Sequence, residues 1–195
     1  MTTQRIAHLV SVALVGATVA ACGTSAPSRF YTLDSTATSD GAPATMGSVM
    51  VGPVSIPASV DRSQFVVQVA PNRVQVDEFN RWASPLNDSI ARAIAGDLVT
   101  QLGNPGVVAG PLANLDPTYR VTIDIQRFES IQGKAATVEA VWVVRKTAGG
   151  ATRSGRTVAS ESVQGDGFDA LAASYSRALA RVSSDIAAAI RSEAS

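Results

Sequence analysis

The sequence predicts an α/β domain in which a mixed β-sheet, with an N-terminal hairpin and a C-terminal antiparallel meander, is covered by two main helices. Three observations predict it. Apolar residues recur at four-residue spacing from Leu86 to Leu102, as they do on one broad face of a helix. Apolar and polar residues alternate strictly from Tyr119, as in a half-buried strand. A second helical stripe, from Leu171 to Ile190, closes the chain.

The N-terminal part is typical of a targeting signal and a linker. Arg5 precedes an apolar run of about 15 residues, short for a membrane span of roughly 20. Val19-Ala20-Ala21-Cys22 then resembles a bacterial lipobox, which is cut just before the cysteine that receives a lipid. The alternative is a transmembrane anchor with an incidental cysteine. We predict a signal peptide over 1–21, a lipidated tether and linker over 22–47 and one domain over 48–195.

The residue after the cysteine indicates a compartment. Gly23, rather than aspartate, follows Cys22. By resemblance to lipoprotein sorting signals of Gram-negative cells, this choice favours the outer membrane over retention at the inner one. The lipid would anchor the protein without spanning the bilayer.

Strand candidates precede the first helix. Ser48–Val54 is a buried strand that Gly52-Pro53 ends or bulges. Gln64–Val69 and the alternating stretch from Val74 are separated by a four-residue turn and predict a hairpin. Further upstream, Arg29–Leu33 is an edge strand or a docked extended segment.

The limits of the first helix follow from its flanking residues. Ser84 is expected to cap the helix with its hydroxyl, and Pro85 suits the first helical position. Gly103 is the expected stop. A short strand is predicted at Val107-Val108.

The three strands of the meander follow. They are predicted at Tyr119–Gln126, Ala136–Val144 and Arg156–Val163. The alternation slips near Arg127-Phe128, which predicts a bulge there.

Composition limits the possible chemistry. The formal net charge is zero and basic residues form no block, which argues against nucleic acid or an anionic membrane surface as a partner. The single histidine, His8, would be lost with the signal peptide, and the single cysteine, Cys22, would be acylated. Ser-His-Asp and Cys-His triads and thiolate or imidazole metal sites are thereby excluded, whereas the residues still allow a carboxylate pair or a Ser-Lys arrangement. We expect no catalytic activity, no metal and no cofactor.

One short stretch is the best candidate for a specific site. Glu78-Phe79-Asn80-Arg81-Trp82 combines aromatic and arginine side chains, which are favoured as interface anchors. The alternative is structural: Phe79 and Trp82 would fix the helix start in the core, with Glu78 and Arg81 on its rim. The two interpretations can both hold.

Several motifs together resemble a known family. Tyr31-Thr32-Leu33, Val51–Pro57, Asp61-Arg62 and above all Glu78–Leu86 (EFNRWASPL) are similar to the ABC-type transport auxiliary lipoproteins, the PqiC family. The likeness covers nearly the whole mature chain, with the lipobox where that family has it.

The resemblance implies a fold related to the anticodon-binding-like and TolB N-terminal folds. It also implies an outer-membrane lipoprotein that docks on the MCE-domain protein of an inner-membrane phospholipid transport system, as one of several copies in a ring, and supports membrane integrity. An alternative is a lipid carrier that holds an acyl chain in its own cavity. The candidate partner or oligomer interface consists of Asp61, Arg62, Glu78, Phe79, Asn80, Arg81 and Trp82.

Overall fold

The computed structural model describes residues 26–110 and 116–194. The expected signal peptide and the expected lipidation site at Cys22 lie outside these ranges and stay predictions. Within them the elements follow in chain order: β1 (Arg29–Tyr31), β2 (Val49–Ser55), β3 (Gln64–Ala70), β4 (Arg73–Trp82), α1 (Leu86–Leu102), β5 (Val107–Ala109), β6 (Tyr119–Ile131), β7 (Ala135–Lys146), β8 (Thr152–Ser162) and α2 (Gly167–Ala194).

The larger sheet has five strands in the order β5-β2-β6-β7-β8. Strand β2 pairs parallel with β5 and β6, whereas β6, β7 and β8 form the antiparallel meander that the sequence predicted. The register of β2 against β6 shifts at the cis Gly52–Pro53 bond. The register of β6 against β7 shifts between Ile125 and Arg127. Both predicted irregularities are therefore bulges, and the mixed α/β class is confirmed.

Both helices cover one face of this sheet. Helix α1 packs against β2 and β5, helix α2 packs against β7 and β8, and the two helices contact each other. The predicted apolar stripe of α2 is buried throughout: Leu171, Tyr175, Leu179, Val182, Ile186 and Ile190. No helix among the described residues combines the length and apolar character that a membrane span requires.

The predicted hairpin forms a second sheet instead of extending the first. Strands β3 and β4 pair antiparallel, and β1 adds to β4 in parallel, giving the order β1-β4-β3. Of the two interpretations of the stretch from Arg29, the edge strand is correct. The connection after β2 leaves the sheet through a turn in which the Val60 N–H donates to the Pro57 carbonyl oxygen. The hairpin therefore starts beside the larger sheet rather than within it.

The start of α1 corrects one prediction. Pro85 is the N-cap residue, with an extended ψ of 132°, and no side chain caps the helix. Because Pro85 itself has the extended ψ of a cap residue, the helix begins at Leu86 and not at Pro85, so Ser84 lies one residue too early to act as the cap. The Ser89 hydroxyl donates to the Pro85 carbonyl oxygen instead (3.0 Å). At the other end Gly103 adopts the left-handed conformation (φ 58°), as predicted.

Residues 34–47, which we name the strap, contain no regular element, yet they are fastened to both helices. Asp97 of α1 is fully buried, and its Oδ1 accepts hydrogen bonds from the Ser35 hydroxyl (2.9 Å) and the Thr36 and Ala37 amides (2.8 and 2.9 Å). Its Oδ2 accepts from the Ser183 hydroxyl of α2 (3.2 Å). Burial raises the pKa of Asp97, although these hydrogen bonds oppose the rise.

Further contacts hold the strap along its length. The Thr45 amide donates to the Leu102 carbonyl oxygen (2.9 Å), and Arg191 forms an ion pair with Asp40 (2.7 Å). The predicted linker therefore joins the domain at β1 and not at residue 47. Its Ser, Thr and Asp side chains are typical of a solvated linker, but here many of them are hydrogen-bond partners.

Candidate functional site

The candidate residues meet at one end of the three-stranded sheet. The Trp82 amide donates to the Ser63 carbonyl oxygen (2.6 Å), which brings the turn containing Asp61 and Arg62 beside the end of β4. The Arg62 amide closes this turn on the Val60 carbonyl oxygen (2.8 Å). Asp61 and Arg62 are both exposed. The structure thus brings together two motifs that are 16 or more residues apart in the chain.

Strand β4 is interrupted at Asp77–Asn80, which we name the β4 bulge. Its pairing with β3 jumps from Arg81–Gln64 to Val76–Val66, so the residues between protrude from the ladder. Asp77 Oδ1 accepts hydrogen bonds from the amides of Phe79 (2.9 Å) and Asn80 (2.7 Å) and from Asn80 Nδ2 (2.9 Å). Partial burial of Asp77 favours its neutral form, but these hydrogen bonds outweigh that effect and lower the pKa of its carboxyl.

Arg81 fixes the outer part of the bulge. Its Nε and Nη2 both donate to the Glu78 carbonyl oxygen, each at 3.1 Å. The guanidinium group is therefore engaged with the backbone, whereas the Glu78 side chain is exposed and the Phe79 ring is 43% exposed. These hydrogen bonds fix the backbone of the bulge and so the positions from which the two exposed side chains project.

Asn80 connects the bulge to β1. Its Oδ1 accepts a hydrogen bond from the Tyr31 hydroxyl (2.7 Å), while its amide group donates to Asp77. Burial, together with the negative charge of Asp169, raises the pKa of Tyr31. The phenol therefore keeps its proton and remains the donor at neutral pH. Asn80 is thus an internal polar link and contributes little exposed surface.

Trp82 belongs to the core. It is 5% exposed and stacks on Phe65 with ring centroids 4.0 Å apart. It also meets Phe128 and Tyr175 edge-on, at 6.1 and 6.0 Å. We name the surrounding group the aromatic cluster: Tyr31, Phe65, Trp82, Phe128, Phe168 and Tyr175. The structural interpretation of the motif therefore fits Trp82, whereas Phe79 stays at the surface.

The arrangement has the chemistry of a recognition surface. Within residues 26–110 and 116–194, no three His, Cys, Asp or Glu side chains are grouped closely enough to hold a metal ion. The polar groups of the bulge are directed at the backbone and do not converge on a cavity. What they leave exposed is a carboxylate, a phenyl ring and the neighbouring turn with Asp61 and Arg62.

Sequence reasoning missed one exposed ring beside this surface. Phe30 of β1 is 64% exposed and lies opposite Arg81 in the parallel pairing. Successive strand side chains point to opposite faces, so Phe30 faces away from its buried neighbour Tyr31. The exposed Phe30 ring could have been predicted from the sequence. Phe30 and Tyr31 are adjacent, and in an edge strand only one of two adjacent aromatic side chains can be buried.

Sequence reasoning also missed a buried carboxylate on the open face of the larger sheet. Glu139 of β7 is buried between Arg127 (3.4 Å) and Arg156. Its pairing opposite Arg127 in β6 and its place beside β8 explain how the charge is compensated. This network stabilises the sheet and lies outside the candidate surface.

Comparison with known proteins places the chain in a family. The family model for the ABC-type transport auxiliary lipoprotein component matches residues 31–187. No curated protein matches the sequence. The fold resembles that of an uncharacterized protein (TM-score 0.69, 19% identity, covering 85% of this chain and 99% of that one). It also resembles protein XCC0632 from Xanthomonas campestris, of family DUF330 (TM-score 0.68, 20% identity, covering 82% and 93%). The chain therefore belongs to the family of ABC-type transport auxiliary lipoproteins.

Proposed function

We propose that this protein is a lipid-anchored docking subunit on the periplasmic face of the outer membrane. Its partner would be the MCE-domain protein of an inner-membrane ABC system that transports phospholipid, and several copies would assemble around that partner. Family membership supports the transport role. The lipobox ending at Cys22 and the following Gly23 support the anchor and the compartment.

The fixed position of the Asp61–Arg62 turn is the observation that carries the docking role. The Arg62 amide closes the turn on the Val60 carbonyl oxygen, and the Trp82 amide donates to the Ser63 carbonyl oxygen, which holds the turn against the end of β4. Because Trp82 is itself packed in the aromatic cluster, the backbone of the turn is preorganised, which lowers the entropy lost on binding. Such a surface is suited to recognition of another protein.

The exposure of the motif residues supports a division of roles among them. Asp61 and Arg62 are exposed charged groups, and we propose that they contact the partner by charge complementarity. Asn80 and Arg81 act through the backbone they fix. Trp82 supports the surface from the core, so its loss would report on folding rather than on docking.

The carrier alternative is less favoured because the aromatic cluster leaves no space of the size of an acyl chain between its rings. The space left among Val60, Phe65, Trp82, Phe128 and Tyr175 is about 10 Å³. A single water needs at least about 10–15 Å³ measured in this way, and an acyl chain needs many times more. The aromatic cluster therefore excludes an acyl chain from this part of the interior.

Affinity capture of the tagged full-length protein from cell envelopes tests the docking role. We expect wild-type protein to recover an MCE-domain protein and the Arg62→Ala variant to recover about tenfold less, as for an interface residue worth about 1.4 kcal/mol. The matched control is Arg145→Ala, at an exposed arginine of β7 in the other sheet. Recovery of no MCE-domain protein by the wild type, or equal recovery by both variants, would contradict the proposal.

A further inference from the structure

We propose that Phe30 and Phe79 form a lipid-contacting surface that lies against the bilayer holding the Cys22 anchor. The inference rests on the anchor in the proposed function and adds an orientation to it. The three-stranded sheet would face the membrane with its β1 side, while the Asp61–Arg62 turn on the other side of β4 stays available to a protein partner.

The length of the free tether is the first argument. The chain is paired with β4 from Arg29 onward, and the strap after β1 is fastened to both helices. Only six residues therefore separate Cys22 from the first fixed position. The seven Cα–Cα steps from Cys22 to Arg29 span at most about 25 Å. The domain is held close to the lipid surface.

The direction of β1 is the second argument. Because β1 runs parallel to β4, with Arg29 opposite Asn80 and Phe30 opposite Arg81, the chain upstream of Arg29 runs toward the β4 bulge. The anchor therefore leaves the domain beside Phe79. Both exposed rings lie at the point from which the tether reaches the membrane.

The exposed side chains have the chemistry of an interfacial contact. Phe30 and Phe79 are 64% and 43% exposed, and aromatic side chains bind at the boundary between headgroups and acyl chains. The basic groups nearby, Arg29 and Arg81, are balanced by Asp77 and Glu78. The contact would therefore depend on the apolar rings and would not require anionic lipid.

A protein partner fits this surface less well. A partner that reaches across from the inner membrane approaches the domain from the side away from its anchor. To cover Phe30 it would have to enter the gap between the domain and the bilayer, which the tether limits to about 25 Å. Lipid is present in that gap from the start.

Fluorescence quenching in vesicles tests the inference. Full-length, lipidated Phe30→Trp and Phe79→Trp variants are reconstituted into phosphatidylethanolamine–phosphatidylglycerol vesicles, with or without lipids brominated near the top of the acyl chain. The native Trp82 and Trp142 are buried and give a constant background. The matched control is Val158→Trp, at a valine 56% exposed on the larger sheet.

We expect brominated lipid to remove about half of the added emission at positions 30 and 79, because interfacial side chains lie about 5–10 Å into the headgroup boundary. Position 158 should be unquenched. If the protein floats with the vesicles but is quenched equally at all three positions, or at none, Phe30 and Phe79 do not form a lipid-contacting surface. The proposed anchor would not be affected by that result. Protein that does not float would overturn the anchor and this inference with it. No MCE-domain protein is present, so neither result depends on docking.

Discussion

The two sheets of this protein differ in how regularly their strands pair and in what they contribute to the fold. The larger sheet pairs β6, β7 and β8 almost without interruption and buries one face under two helices. The smaller sheet is short and irregular, with two shifts in the pairing of β3 and β4. Regular pairing gives a rigid support. The shifts in the smaller sheet turn some side chains outward, although regular alternation would place them on the other face. The candidate site lies in the irregular sheet.

Trp82 joins the two regions, and its replacement should have the largest effect. We expect Trp82→Ala to lower the free energy of unfolding by about 3–5 kcal/mol, because it removes a buried ring that stacks on Phe65 and touches Phe128. Phe79→Ala, three residues away on the same strand, should cost less than about 1 kcal/mol because that ring is partly exposed. Urea unfolding followed by circular dichroism measures both. If both variants lost the same free energy of unfolding, Trp82 and Phe79 would not differ in their contribution to the core.

The packing of the larger sheet can be tested at Gly155. A Cβ atom there would lie 2.2 Å from Trp142 Cζ2, so the indole ring would have to move. That movement would strain the hydrogen bond from Trp142 Nε1 to the Thr157 hydroxyl (3.0 Å). We expect Gly155→Ala to destabilise by about 1–3 kcal/mol. Ser154→Ala, at an exposed neighbour, is the control and should lie within about 0.5 kcal/mol of wild type in the same unfolding experiment.

Asp97→Ala should detach the strap. It removes the acceptor of the Thr36 and Ala37 amides and of the Ser183 hydroxyl, at a cost of about 1–2 kcal/mol. Limited proteolysis should then cut within residues 34–47, which the wild type protects. Asp88→Ala, at an exposed carboxylate of the same helix, should leave the strap protected. If protease cuts the strap no faster in the Asp97→Ala variant than in the wild type, the other contacts of the strap are sufficient to hold it in place.

The smallest expected effects are in the pH dependence of stability, where the two regions differ in sign. The pKa of Asp77 is lowered from 3.8, so its stabilising contribution is complete above pH 3.8 and is lost as the pH falls through the folded-state value. The pKa of Asp97 is raised from 3.8, so its contribution is present below pH 3.8 and is lost as the pH rises through the folded-state value. The Asp77→Asn variant should therefore no longer lose this stability as the pH falls. The Asp97→Asn variant should no longer lose stability as the pH rises. Unfolding midpoints from about pH 2 to pH 7 measure both. Changes of the same sign would contradict these assignments.

Sequence periodicity predicted the regular region well. The alternation in β6 and the stripes of α1 and α2 reflect burial on one face, which acts on every second or every third and fourth residue. The separation of the hairpin into its own sheet could not be predicted, because pairing partners are set by tertiary contacts such as that between the Trp82 amide and the Ser63 carbonyl oxygen.

The candidate site was predicted as a stretch but not as a set of roles. Composition could not distinguish Phe79, which is exposed, from Trp82, which is buried, because both are aromatic residues of one strand. Because the two residues are three apart, strand alternation places them on opposite faces, but which face is buried depends on the tertiary contacts of Trp82 with the other rings of the aromatic cluster. Asp97 did carry a signal: it interrupts the apolar stripe beside Ile94 and Leu98, where a buried carboxylate needs partners.

The strap also determines how the protein responds to mechanical force. A pull on the lipid anchor enters the domain at Arg29 and acts along β1, so its hydrogen bonds to β4 are sheared together and not opened one at a time. Whatever tension passes β1 is transmitted through the strap to Asp97 and from there to Ser183 of the last helix. A force on the N-terminal segment is therefore shared with the C-terminal helix, and in the proposed docking role the subunit would resist it with its most deeply buried elements.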